Sequence, residues 1–90
     1  MTSPPWNLVV ASPVCRAIGR IPPKVAVAVV EFLVGPLTAN PGVGRALRDD
    51  LRGLHAARVG AYRVAYVIDQ ALRTVRVLYV EHPADVYRPR

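Results

Sequence analysis

Residues 62–69 alternate between a fully apolar set of side chains and a set that includes both charged residues of the segment. Tyr62, Val64, Tyr66 and Ile68 fall on one face of the segment, as in a strand that buries one side and exposes the other. The second face is formed by Arg63, Ala65, Val67 and Asp69. We therefore predict a strand here, and we expect Tyr62 and Tyr66 to belong to the core.

Residues 6–11 are apolar with β-branched side chains, and residues 74–80 are rich in residues that favour strands, so both segments are predicted to be strands. Residues 54–59 are also predicted to be a strand. Gly60 and Ala61 provide a tight turn before residue 62, and a short linker over residues 69–73 precedes the last strand. Because such short connections suit hairpins, antiparallel pairing is predicted for this half of the chain.

Ser12 and Pro13 predict the start of a helix, because serine caps helix N-termini and proline is tolerated at the first helical position. A helix over residues 13–20 separates its apolar and basic side chains. The apolar side consists of Val14, Ala17 and Ile18, and the basic side of Arg16 and Arg20.

The valine-rich residues 25–33 suit a buried strand as well as a helix. A helix is favoured, because Pro23 fits its first turn and Gly35-Pro36 supplies a C-terminal stop. Residues 40–44 are predicted to be a loop, and residues 45–51 either one more helical turn or the approach to a strand.

This order of elements predicts the fold class α+β, as a β-α-α-β-β-β arrangement with two helices packed on one face of an antiparallel sheet. A chain of 90 residues is expected to form a single domain over residues 1–90.

The composition is basic, with twelve lysines and arginines against six acidic residues and a net charge of +6. Lys24 is the only lysine, and the arginines suit phosphate, although a GC-rich genome has the same bias. Cys15 is the only cysteine, so no internal disulfide can form. With no signal peptide or apolar run long enough to cross a bilayer, we expect a cytoplasmic protein that has no membrane partner.

Neither a metal site nor a cofactor is predicted. His55 and His82 are far apart in the chain, and Gly42 with Gly44 lacks the third glycine of a dinucleotide fingerprint. The remaining candidate chemistry is cleavage of RNA through its own 2′-hydroxyl, which needs a base, an acid and cations for the phosphorane. Arg58 and Arg63 can supply the cations.

Side chains for proton transfer and for base stacking also lie in the C-terminal half. The proton-transfer candidates are Glu81, His82, Asp85 and Tyr87, and the stacking candidates are Tyr62, Tyr66, Tyr79 and Tyr87. Without further information these residues define only a basic α+β binding domain.

Three blocks of the sequence resemble the RelE/ParE toxin superfamily. GAYRVAYVID at residues 60–69, preceded by LRDDLRGLHAARV at 47–59, is similar to the family's basic run through two adjacent strands. PPKVAVAVVEFLVGPLTANP at 22–41 resembles its second helix and the loop that follows. HPADVYR at 82–88 resembles its closing segment.

The resemblance implies a fold similar to microbial ribonucleases and a partnership with a cognate antitoxin in a hetero-oligomer. The RelE branch cuts messenger RNA in the ribosomal A site without a metal and leaves a 2′,3′-cyclic phosphate, whereas the ParE branch poisons DNA gyrase. Arg63 and Tyr87 match catalytic positions, and Arg58, His82 and Arg88 are the implied substrate-binding residues. The expected partners are therefore an antitoxin, the ribosome and messenger RNA.

The chain departs from the family at three positions. Glu81 stands where the best-studied ribonuclease branch has a second catalytic arginine, and Pro83 and Ala84 follow the histidine where arginine is common. Each lost cation removes about 2.7–4 kcal/mol of transition-state stabilisation. Three hypotheses stay open: a ribosome-dependent endoribonuclease, a gyrase poison, and a catalytically degenerate member that only binds an antitoxin.

Overall fold

The computed structural model describes residues 4–46 and 53–82. Two α-helices and a five-stranded sheet make up this part of the chain. In chain order the elements are β1 (Asn7–Val10), α1 (Ser12–Arg20), α2 (Pro23–Phe32), β2 (Arg45–Ala46), β3 (Leu54–Val59), β4 (Tyr62–Asp69) and β5 (Thr74–Glu81).

The strands lie in the order β1-β5-β4-β3-β2. Strands β2 to β5 pair antiparallel, as the hairpin turns predict, but β1 runs parallel to β5. The α+β class is confirmed, whereas a wholly antiparallel sheet is wrong for β1. The reason is that no hairpin joins β1 to β5, so no local turn sets its direction.

Both helices cover the same face of the sheet, with α1 against β5 and α2 against β3. The core forms between these layers, which confirms the predicted packing on one face. Its buried side chains are Val14, Val29, Leu33, Leu37, Val64, Tyr66, Val75, Val77 and Val80. The opposite face of the sheet, which we call the open face, is not covered by α1 or α2.

A β-bulge in β5 decides which side chains reach the open face. The register between β4 and β5 skips Leu78, and the extra residue reverses the direction of the side chains after it. Val80 therefore joins Val77 in the core, and Glu81 lies directly opposite Arg63.

The helix after Pro23 continues past the predicted stop. A π-helical segment, Leu33–Leu37, passes through Pro36, and the chain stays helical to Ala39. A wider turn accommodates a proline that has no N–H to donate. Thr38 strengthens the turn, because its hydroxyl lies 3.0 Å from the carbonyl oxygen of Val34.

Other boundaries differ from the predicted ones by a residue or two. Strands β3 and β4 have the predicted bounds, β1 is shorter at both ends, and β5 extends to Glu81. Ala11 rather than Ser12 occupies the N-cap of α1, and it makes no side-chain capping hydrogen bond. None of the helices in the described ranges is long and apolar enough to span a bilayer.

Candidate nucleic-acid site

A row of charged side chains crosses the open face where β3, β4 and β5 lie side by side. Arg58 of β3 pairs with Arg63 of β4, and Arg63 pairs with Glu81 of β5. Directly opposite residues in antiparallel strands have Cβ atoms about 4.5–5.5 Å apart. Arg58 and Arg63, which are five residues apart in the chain and joined by the turn at Gly60, are thus immediate neighbours.

The turn at Gly60 explains this placement. Gly60 has φ 58°, in the left-handed region that glycine adopts without steric cost, so β3 can reverse into β4 within two residues. The pairing of Val59 with Tyr62 then sets Arg58 opposite Arg63.

Both guanidinium groups are available to a ligand. Arg58 and Arg63 are exposed, and within residues 4–46 and 53–82 no carboxylate forms an ion pair with either. Like charges directly opposite each other destabilise a sheet, so an anion placed between them relieves that repulsion. The arrangement suits a phosphate, which guanidinium groups bind through paired N–H donors.

A groove of about 370 Å³ opens beside these arginines at the outer edge of β3. Phe32 and Val43 contribute apolar surface, and Arg45, Arg58 and Arg63 contribute charge. We call this the arginine groove. Strand β2 pairs only with His55 and Ala56, so the rest of the β3 edge is not covered by it.

A buried tyrosine holds the loop beside the groove. The Tyr66 hydroxyl donates to the carbonyl oxygen of Pro41 at 2.6 Å and accepts from the N–H of Gly44 at 3.0 Å. Burial raises the pKa of Tyr66, and the hydrogen bond from Gly44 partly offsets that rise. Alternation predicted Tyr66 as a core residue, which is confirmed, but it gave no sign of these two contacts.

Glu81 lies opposite Arg63 in the sheet, but within the described ranges the two side chains form no ion pair. Glu81 is half-buried and lines a separate groove of about 360 Å³ between β5 and α1, together with Pro13, Ala17 and Arg20. Within the described ranges the Arg63 guanidinium is therefore not neutralised by this carboxylate.

Another groove, of about 670 Å³, lies at the far end of the sheet. There Arg73 lies over the ring of Trp6, with 4.9 Å from guanidinium carbon to ring centroid, and donates to the carbonyl oxygen of Pro4 at 2.6 Å. These contacts attach the segment before β1 to the β4–β5 linker, so they have a structural role.

Comparison with known proteins decides the family. The family model for the ParE toxin of the type II toxin-antitoxin system parDE matches residues 16–87. The chain belongs to the RelE/ParE toxin superfamily. Toxin RelE of Mycobacterium tuberculosis is 41% identical over 93% of this chain and 88% of its own length. Toxin RelG of the same organism is 46% identical over 81% of this chain and 85% of its own length.

Solved structures agree with this assignment. The chain superposes on the M. tuberculosis RelBE2 toxin–antitoxin complex with a TM-score of 0.79 and 39% identity, over 88% of this chain and 99% of that one. It also superposes on a double mutant of Escherichia coli RelE in the free state, with a TM-score of 0.75 at 16% identity, over 93% of this chain and 88% of that one, which shows a likeness of fold alone. The resemblance inferred from the sequence is thereby confirmed.

The structure brings together only some of the residues that the RelE/ParE resemblance implies. Arg58 and Arg63 are neighbours on the open face. His82 instead lies edge-on to Tyr62, with ring centroids 5.2 Å apart, and Tyr62 packs against the core on the helix-covered side. Tyr87 and Arg88 lie outside the described residues, as do Pro83, Ala84 and Asp85.

The tyrosines proposed for base stacking differ in accessibility. Tyr66 is fully buried, so it offers no face to a base. Tyr62 is half-buried against the core. Tyr79 is half-buried and pairs with Ala65 on the open face, which makes it the stacking candidate of the described strands.

No three His, Cys, Asp or Glu side chains gather to hold a metal ion in the described ranges. Among the described residues, the candidate site consists of the guanidinium groups of Arg45, Arg58 and Arg63, the Tyr79 ring and the apolar surface of the arginine groove.

Proposed function

We propose that this member of the RelE/ParE superfamily is a ribosome-dependent endoribonuclease that cuts messenger RNA and stops translation. The observation that carries the proposal is the exposed Arg63, opposite Arg58 on an open sheet face and without an ion-pair partner among the described residues. The relatives named Toxin RelE and Toxin RelG support the ribonuclease branch.

The proposed reaction is an internal transesterification. The 2′-oxygen forms a bond to phosphorus and gives up its proton, while the bond from phosphorus to the 5′-oxygen breaks and that oxygen takes up a proton. The products are a 2′,3′-cyclic phosphate and a free 5′-hydroxyl. Negative charge accumulates on the phosphorane, where a fixed cation is worth about 2.7–4 kcal/mol.

Within this proposal the residues have separate roles. Arg63 stabilises the phosphorane, and Tyr87 stacks on the substrate or helps the 2′-hydroxyl lose its proton. Arg58, His82 and Arg88 bind the RNA. Rigid strands suit Arg63, because a catalytic cation must be held in place before the charge develops.

We further propose that a cognate antitoxin holds the toxin in check in a cytoplasmic hetero-oligomer. The matching M. tuberculosis structure is a toxin–antitoxin complex, and so is the matching E. coli RelBE structure. A net charge of +6 favours an acidic antitoxin segment laid across the open face, where it covers Arg63.

A gyrase poison is the second candidate, because the matching family model describes ParE toxins. The two candidates differ in what expression does to a cell. A gyrase poison produces DNA breaks and an SOS response while messages stay intact, whereas the proposed ribonuclease cuts translated messages.

Expression of the chain alone tests the proposal. We expect growth arrest with cleaved messages, and Arg63→Ala should relieve both. Arg76→Ala is the matched control, because Arg76 is an exposed arginine on the open face that does not line the arginine groove. Unchanged toxicity in Arg63→Ala would reject the mechanism. Harmless expression of the unaltered chain with tight antitoxin binding would identify a degenerate member.

A further inference from the structure

Arg45 belongs to neither the sequence-based candidates nor the roles proposed above. We propose that it is a third phosphate-binding guanidinium of the arginine groove, and that it binds an RNA phosphate next to the one that is cleaved. The inference rests on the proposed ribonuclease function and adds a binding residue to that site.

Strand register places Arg45 on the correct face. Arg45 pairs with Ala56, and Arg58 lies two residues further along β3, so both side chains emerge on the open face. Such diagonal neighbours are about 7–8 Å apart, close enough for long side chains to act on one ligand. Ala56 carries only a methyl group, which leaves the space between the two arginines unfilled.

The distance to Arg63 suggests which phosphate Arg45 binds. Arg45 is in β2 and Arg63 in β4, which is two strand spacings or about 10 Å across the sheet. Arg45 therefore reaches a neighbouring phosphate rather than the phosphorane itself. Its contribution should appear in binding and not in the chemical step.

A strand of two residues would by itself position Arg45 poorly. The preceding residue, Gly44, is held in place by the Tyr66 hydroxyl. The N–H of Gly44 donates to that hydroxyl, and a Cβ at Gly44 would collide with the hydroxyl and with the carbonyl oxygen of Ala56. The backbone at Gly44, immediately before Arg45, is therefore in close contact with the backbone of β3. This contact gives the guanidinium of Arg45 a defined point of attachment.

Arg45 also adds positive charge to the site on the side of Arg63 that lies away from Glu81. Glu81 occupies the β5 side of Arg63, where the resemblance implies a cation, whereas Arg45 adds a cation on the β3 side. Together Arg45, Arg58 and Arg63 form a basic track from β2 to β4 along the groove. A single RNA strand needs such a track, since phosphate contacts supply most of its affinity.

Steady-state cleavage on programmed ribosomes tests the inference. We expect Arg45→Ala to raise KM about tenfold and to leave kcat within about twofold, with partial rescue by Arg45→Lys. Arg63→Ala should lower kcat about a hundredfold, and Arg76→Ala should match the unaltered toxin. Equal unfolding midpoints for the variants confirm that folding is intact.

A binding measurement tests the proposed role of Arg45 even if the chain does not cleave RNA. The probe is a short single-stranded RNA methylated at every 2′-oxygen, and its dissociation constant is measured over a salt series. Arg45→Ala should weaken binding about tenfold and reduce the salt slope by about one.

The outcomes separate this inference from the proposed function. If Arg45→Ala binds the methylated RNA as Arg76→Ala does, the inference is overturned, whatever Arg63→Ala shows. If Arg45→Ala weakens binding while Arg63→Ala cleaves normally, the inference stands and the proposed role of Arg63 fails. Weakened binding to an acidic antitoxin segment with unchanged RNA binding would reassign Arg45 to the antitoxin and overturn the inference.

Discussion

Arg63 gains its proposed role from the residues beside it in the sheet. Exposed arginines are common, but Arg63 has a like charge opposite it in β3 and no ion-pair partner among the described residues. The mutual repulsion of Arg58 and Arg63 is a small cost of folding that phosphate binding removes. Such a pair favours the phosphate-bound state relative to the free protein.

Glu81 is the residue at which a substitution is expected to raise the proposed ribonuclease activity. Glu81→Arg replaces a carboxylate opposite Arg63 by a third cation near the phosphorane, so we expect kcat/KM for cleavage to rise about tenfold or more. Glu81→Gln is the control that removes charge without adding a cation, and it should give a smaller gain. Slower cleavage by Glu81→Arg would show that the carboxylate takes part in the reaction.

Tyr66 gives a pH-dependent prediction. Tyr66→Phe leaves the Gly44 N–H and the Pro41 carbonyl oxygen without their partner, and it should lower the free energy of unfolding by about 1–3 kcal/mol at pH 8. Burial raises the pKa of Tyr66 above 10.0, so the folded state holds its proton more tightly than the unfolded chain. The stabilisation is complete below pH 10 and declines as the pH rises through the folded-state pKa.

Urea denaturation at pH 8 and at pH 11 measures this effect. The difference in unfolding free energy between the unaltered chain and Tyr66→Phe should be smaller at pH 11. A difference that grows with pH would contradict the assigned direction of the pKa shift.

At the scale of elements, strand β2 is defined by contact rather than by its own sequence. Arg45–Ala46 is too short to be recognised by alternation, and Gly44 is needed because the backbone approaches Tyr66 and β3 closely. We expect Gly44→Ala to displace β2 from β3 and to destabilise the fold by more than Gly42→Ala, whose added methyl would meet only the Asn40 side chain.

Amide hydrogen exchange measures this displacement. In Gly44→Ala the amides of β2 and of its partners in β3 should exchange faster, while those of β5 stay protected. Protection equal to that of the Gly42→Ala control would show that the close approach at Gly44 does not hold β2.

Local patterns predicted the elements that local interactions determine. Alternation and the Gly60 turn predicted β3 and β4 at their observed bounds, because a hairpin is specified by neighbouring residues. The direction of β1, the bulge at Leu78 and the π-helical passage through Pro36 were not predicted. Each depends on packing between segments distant in the chain, which a local pattern does not record.

In the candidate site, too, local patterns predicted the residues placed by the hairpin but not those placed by long-range contacts. Arg58 and Arg63 follow from alternation and the hairpin register, and the structure places them side by side. Arg45 and the Tyr66 contacts were missed, because Tyr66 and Gly44 are 22 residues apart and meet only in the folded chain. Tyr87 and Arg88 stay predictions, since they lie outside the described residues.

At the scale of the whole molecule, the helices and the arginines of the candidate site lie on opposite faces of the sheet. Both helices occupy one face of the sheet, while Arg58 and Arg63 emerge on the other. A net charge of +6 draws the protein toward RNA and toward an acidic antitoxin alike. Under the proposed function the two ligands would compete for the open face, and this competition would let the antitoxin inhibit the toxin directly.

The central claim is that Arg63 stabilises a phosphate during cleavage of messenger RNA. Its most direct test is to incubate the purified toxin with ribosomes carrying a defined message and to map the ends of the products. We predict A-site cuts that leave a 2′,3′-cyclic phosphate, with a rate about a hundredfold lower in Arg63→Ala. Intact message with the unaltered toxin, or equal rates of cleavage by Arg63→Ala, would contradict the claim.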